Sequence, residues 1–209
     1  MTGFADAHSS GNVDLAHLEP GFADPAHDAQ ACFRAVLDAI AHPARIVPMP
    51  VPLAGVPPPP LRLGMASIAL TLCDIDTPIW LDASARAAAD YLTFHCGAPI
   101  VGAPDQARFA FITDAAALPP LDVFALGSDE YPERAATLVI EVSELVGGCG
   151  VLLRGPGIRE EARLDVRGLP LRFWVERVAL AELFPRGLDV LFVSDNKLTA
   201  LPRSTWIAQ

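Results

Sequence analysis

An α/β sandwich built on a mixed sheet is the fold class that this sequence predicts. Helical and strand-like segments alternate through the first half, and strands dominate the second. The chain has 209 residues, 52% of them hydrophobic, which is enough to bury a sizeable core in one domain. Residues 1–19 are polar, small and poorly patterned, and read as a flexible leader. Residues 20–209 read as a single domain.

The first patterned element is a helix ending before Pro43. Asp24 is a good N-cap, because its carboxylate can accept from the free N–H groups of the first turn. Pro25 fits the first helical position, where a missing N–H costs nothing. Asp28 adds negative charge near the positive helix end. Cys32, Phe33, Val36, Leu37 and Ile40 then form one apolar stripe at helical spacing.

Arg45–Val51 reads as a strand that Pro48 and Pro50 confine to an edge. Pro57–Pro60 is a polyproline-like connector. Leu63–Leu72 has helical character, and Pro78–Leu81 is a short apolar strand. Asp82 or Ser84 caps the next helix, which runs to His95 and stops at Gly97. Arg108–Thr113 reads as a strand and Leu121–Leu126 as a helical turn.

Thr137–Val142 is a β-branched strand. Gly147, Gly148 and Gly150 predict a flexible turn into a strand over Val151–Arg154. Leu164–Val166 is short, Leu171–Leu183 fits a helix although Phe173-Trp174-Val175 could be strand, and Leu188–Val193 is a buried strand. Asp195-Asn196 marks a tight turn into Leu198–Leu201.

Composition excludes several functions. The net charge of −10 argues against a nucleic-acid partner, since phosphate neutralisation needs clustered Lys and Arg. No run of 18 apolar residues predicts a transmembrane helix. The N-terminus lacks the basic and apolar regions of a signal peptide, so the cytoplasm is the expected location. The four cysteines form no CxxC unit and the histidines no HExxH pair, so no metal site is expected. Only 19% of residues are charged, and this apolar composition suits a surface partly covered by a partner.

No Walker loop, GxGxxG fingerprint or GxSxG elbow is present. Lys197, the single lysine, lies in an apparent hairpin turn, which argues against a pyridoxal-phosphate Schiff base. Half of the fourteen arginines fall between Arg154 and Arg186. They read either as a mixed solvated surface or as a local oxyanion site. Gly155-Pro156-Gly157 reads either as a structural turn or as a loop offering the N–H groups of Gly157 and Ile158 to an anion, flanked by Arg154 and Arg159.

The order of motifs is more specific than any one of them. The segment from Gly21 to Pro43, GFADPAHDAQACFRAVLDAIAHP, resembles the N-terminal signature of the PhnH family, a component of the carbon–phosphorus lyase complex. The similarity continues through Leu70–Trp80, Phe94–Gly97, Tyr131–Leu138, Leu153–Ile158, Phe184–Asp189 and Leu201–Thr205. One departure is His42-Pro43-Ala44, where the family usually has Arg-Pro-Gly. Another is Arg154, where the family often has Thr.

The resemblance implies a fold like the pyridoxal-phosphate-dependent transferases, without the cofactor. It implies a homodimer in isolation, and a component that joins the lyase subunits G, I and J (PhnG, PhnI and PhnJ) in the core complex. With PhnG, PhnI and PhnL, the family's proteins couple a phosphonate to the ribose of ATP, releasing adenine. PhnJ then cleaves the carbon–phosphorus bond by radical chemistry. That step needs a cysteine cluster, which the scattered cysteines here do not form. Two roles follow for this chain. One is assembly of the complex. The other is direct binding of phosphonate or nucleotide, with Arg154, Gly157, Ile158, Arg186 and Arg203 as the anion-binding candidates.

Overall fold

A computed structural model describes residues 19–208, so the leader expected over residues 1–19 lies outside the described residues except for Glu19. The first helix, α1 (Pro25–Ala41), starts as the sequence predicts. The Asp24 side chain accepts from the His27 N–H, and Pro25 opens the first turn. Its apolar stripe divides, however. Cys32, Val36 and Ala39 are buried, whereas Phe33, Leu37 and Ile40 are 44%, 48% and 40% exposed. The two rows lie about 100° apart around the helix. Only the first faces the core, because α1 packs against α2 (Leu63–Leu72) and the edge of the main sheet.

That sheet has seven strands. In chain order they are β1 (Val47–Pro48), β2 (Ile79–Leu81), β3 (Ile100–Val101), β4 (Phe109–Ile112), β5 (Thr137–Glu141), β8 (Asp189–Ser194) and β9 (Lys197–Leu201). Their spatial order is β1-β9-β8-β5-β4-β2-β3. Strands β3, β2, β4, β5 and β8 run parallel, while β9 is antiparallel to both β8 and β1. The sheet is mixed, as expected. β1 lies at its edge, where prolines are tolerated.

A second sheet has the order β10-β6-β7, all antiparallel, from β6 (Glu144–Arg154), β7 (Ala162–Arg167) and β10 (Trp206–Ala208). The glycines expected to form a turn lie inside β6. Gly147 and Val151 both stand opposite Leu164, so residues 148–150 bulge from a continuous strand. Gly150 has φ +82°, and a Cβ there would collide with the Leu164 carbonyl oxygen. Close backbone approach, not chain reversal, is what selects glycine at that position.

The layers follow from period-two alternation. Val139 of β5 joins a core beneath α1, α2 and α3 (Ala89–Cys96), whereas Leu138 and Ile140 join a core shared with the second sheet and α4 (Arg172–Ala181). α2 is buried on nearly every side from Gly64 to Ala69. At the carboxyl ends of β2 and β4, buried Asp82 accepts from the N–H groups of Ala85, Thr113 and Asp114 at 2.7, 2.9 and 2.9 Å. Asp82, not Ser84, caps the turn that leads into α3. Gly97 ends α3 in the left-handed region at φ +67°.

Candidate functional site

Three motif segments converge where the second sheet meets α4. Pairing of β10 with β6 sets Trp206 opposite Arg154. A Cβ on Gly155 would lie 2.8 Å from the Ser204 carbonyl oxygen, and one on Gly187 would lie 3.4 Å from the Arg203 Cβ. The backbones bearing Arg154, Arg186 and Arg203 are thus brought together, but their guanidinium groups are engaged separately. Arg154 pairs with Glu161 at 3.3 Å, and Arg186 with Asp129 at 3.2 Å. The first pair is exposed and contributes little to stability, whereas Arg186 is half-buried and its buried Nε meets Asp129 as a charge contact without an aligned hydrogen bond among the described residues.

Arg203 is held much more firmly. Its Nε and Nη2 donate to both oxygens of Asp189 in a fork, its backbone N–H donates to Asp189 Oδ1 at 2.8 Å, and Nη1 donates to the Pro132 carbonyl. Beneath it Arg177 is 1% exposed. Its Nη2 donates to the carbonyl oxygens of Pro202 and Thr205 at 2.6 and 3.1 Å, while Nε has no acceptor among the described residues. Burial lowers the Arg177 pKa to about 10; Asp189 opposes that shift and Arg203 adds to it. Arg203 also borders a cavity of about 390 Å³ with Pro156, Ala181, Phe184, Ser204 and Trp206.

Gly157 and Ile158 belong to a different place. They line a cavity of about 360 Å³ between the end of α1, the β6 bulge and the Gly155–Arg159 loop. The Ile158 N–H donates to the Gly155 carbonyl at 3.1 Å, so it serves the turn. The Gly157 N–H has no acceptor among the described residues. Gly157 has φ +82°, and a Cβ there would strike the Ala41 carbonyl oxygen. Glycine is required for the loop to sit against the end of α1. Arg45, Arg159 and Arg163 line the same cavity. The sequence points to Arg159 as a flank of the loop. Arg163 follows four residues later in β7, whereas Arg45 is distant along the chain and only the fold brings it in.

Another cavity, about 590 Å³, has no counterpart in the sequence motifs. Val51, Pro57, Pro59, Leu61, Arg62 and Asp195 contribute to its lining, at the carboxyl edge of β8. Arg62 Nε lies 2.6 Å from Glu141 Oε1 as a charge contact, and Arg62 Nη1 bonds Asp195 at 3.1 Å. Glu141 is 8% exposed and neither oxygen has an aligned donor among the described residues. Burial raises its pKa to about 7; Arg62 lowers it and Asp195 raises it. The one signal for it in the sequence is a Glu closing an apolar β-branched run.

Lys197 is exposed and begins β9 next to the Asp195-Asn196 turn. Burial raises the thiol pKa of Cys32, Cys73 and Cys96. No group of three or more His, Cys, Asp or Glu with metal-binding geometry occurs among the described residues, and none of their helices is long and apolar enough to cross a membrane.

The ordered motifs are matched by a family model described as bacterial phosphonate metabolism protein (PhnH), over residues 20–208. The chain belongs to the PhnH family. One relative is the alpha-D-ribose 1-methylphosphonate 5-triphosphate synthase subunit PhnH of Rhizobium meliloti (strain 1021). It is 42% identical over 186 residues, 88% of this chain and 92% of the relative. Another is the putative C-P lyase subunit protein HtxG of Stutzerimonas stutzeri, 42% identical over 82 residues, which span 39% of this chain and 42% of that protein. Two departures of this chain from the PhnH pattern border the cavity at the end of α1. His42 lines it, and Ala44, where the family usually has Gly, has φ +68°.

Proposed function

We propose that this PhnH-family chain serves phosphonate breakdown as an assembly component of a carbon–phosphorus lyase core complex, beside subunits G, I and J. The observation that carries the reading is the outer row of α1. Phe33, Leu37 and Ile40 stand at i, i+4 and i+7 and form an exposed apolar ridge on a helix whose other row is fully buried. A ridge of that kind is a surface suited to helix packing against a partner. The name of the Rhizobium relative, a subunit of a synthase, supports the same role. Self-association of the free chain through this ridge belongs to the proposal, and so does the likeness to the pyridoxal-phosphate-dependent transferase fold, which the mixed sheet supports.

Co-expression with subunits G, I and J tests it. The chain should co-purify with them, and Leu37→Asp should abolish that while leaving the isolated chain folded. A chain that stays free with all three present would end the assembly reading.

The second reading, direct contact with phosphonate or nucleotide, draws support from the arginine-lined cavity at the end of α1. Among its five candidates, Gly157 carries it best, while Ile158 lines the cavity with its N–H bonded within the turn. Arg154, Arg186 and Arg203 serve it only by releasing Glu161, Asp129 and Asp189.

A further inference from the structure

We propose that the cavity at the end of α1 binds a small dianionic oxyanion, a phosphate or phosphonate group, between Arg159 and Arg163. This proposal rests on the reading that the chain itself contacts such an anion, and it gives that contact a place. Arg159 has no acidic partner among the described residues, and Arg163 spends one N–H on the Gly150 carbonyl at 3.3 Å. Both are exposed and both line the cavity. The other charged groups there are largely satisfied. Arg45 and His42 share Asp38 at 3.2 and 3.0 Å, and Glu161 is held by Arg154. The balance is a net positive cavity on a chain of net charge −10.

The backbone fits the same ligand. The Gly157 N–H is without an acceptor among the described residues at the cavity wall. A Cβ on Gly148 would meet nothing within 4 Å, so the wall formed by the β6 bulge is open. Two guanidinium groups and a spare N–H supply the charge-assisted donors that bind a tetrahedral oxyanion. A volume of about 360 Å³ is at the small end of ligand sites, which suits a phosphonate better than a whole nucleotide. The rival use of these arginines is to neutralise the carbonyl-bearing end of α1. In that case they would stabilise the helix and bind nothing.

Titration of the full-length chain with inorganic phosphate and with methylphosphonate, followed by phosphorus NMR and calorimetry, separates the two. Wild type should bind both. Arg159→Gln and Arg163→Gln should each weaken binding roughly tenfold, with about a hundredfold loss in the double variant and an unchanged melting temperature. Arg34→Gln, remote from the cavity, should bind as wild type. Arg159→Glu, a single exposed change, repeats the test if the double variant folds poorly, and should abolish binding. Wild-type affinity in the double variant or in Arg159→Glu overturns this site while leaving direct contact elsewhere intact. Failure of wild type to bind either anion at millimolar concentration overturns both the site and the direct-contact reading.

Discussion

The Gly155–Ile158 loop touches two sets of arginines held in opposite ways. At its start, beside Ser204, Arg203 and Arg177 are locked by Asp189 and by the carbonyls of Pro132, Pro202 and Thr205. At its tip, beside Ala41, Arg159 and Arg163 face a cavity without a carboxylate bonded to them among the described residues. An arginine inside a motif is therefore not by that fact a ligand contact. Arg203 sits in a family motif yet has nearly all its donors committed. Arg163 lies outside the motif blocks and has donors to spare. A guanidinium already forked to a carboxylate must lose those bonds before it can hold an anion.

Breaking the locked side should produce the largest effect. Arg177→Met leaves the Pro202 and Thr205 carbonyls without their buried donor and exchanges a large side chain for a smaller one. The expected cost is about 3–5 kcal/mol of folding stability, because two buried carbonyls lose their donor at about 1–3 kcal/mol each. Urea denaturation measures it, and a loss below about 1 kcal/mol would show that the buried arginine is not a keystone.

A buried carboxyl group makes stability depend on pH. Glu141 is ordinarily a group of pKa 4.5, and burial raises it to about 7 in the fold. Between those values the unfolded chain has released its proton and the folded chain still holds it. Stability is therefore fully present below pH 4.5 and falls as pH rises through 7, by a contribution on the order of 3 kcal/mol. Glu141→Gln should flatten that slope. Melting curves from pH 4.5 to 8 give the comparison, and an equal slope in both proteins would rule out Glu141 as its source.

Arg203 and Arg159 sharpen the contrast directly. Arg203→Ala should cost about 2 kcal/mol, because its fork to Asp189 is only 16% exposed on the Arg side. Arg159→Gln should change stability by less than about 0.5 kcal/mol. Equal losses by thermal unfolding would erase the distinction between locked and spare arginines.

Much of the fold is legible in the sequence because it is written in local chemistry. Asp24, Pro25 and Gly97 act on neighbouring atoms, and β5, β8 and α2 are apolar runs long enough to be recognised although they are buried on nearly all sides. β3 and β10 escape such reading because two or three residues carry no period, and pairing with β2 and β6 makes them strands. The outer row of α1 reads as core because an amphipathic stripe says which residues are apolar and not how much of it the sheet covers. The candidate sites are legible only in part. Gly157, Arg159 and Arg163 are close in sequence, but Arg45 reaches the same cavity only because the end of α1 lies against the Gly155–Arg159 loop. Glu141 gives little sign of itself because its environment depends on Arg62 and Asp195, which are far from it in sequence.

A gain in stability, smaller than the loss expected for Arg203→Ala, concerns the turn between these regions. Ala44 is buried and held at φ +68°, just after Pro43 and at the edge of the arginine-lined cavity. A Cβ in the left-handed region costs roughly 1–2 kcal/mol, and glycine avoids that cost. Glycine also has more conformational freedom to lose on folding, which offsets part of the gain. Ala44→Gly, which restores the residue usual in the PhnH pattern, should therefore stabilise the chain by about 0.5–1 kcal/mol, read as a small rise in melting temperature. Phosphate binding should stay unchanged, because Ala44 contributes no charge. A destabilised Ala44→Gly variant would mean that its buried methyl contributes more packing than the backbone loses in strain, and that this turn is tuned differently from its relatives.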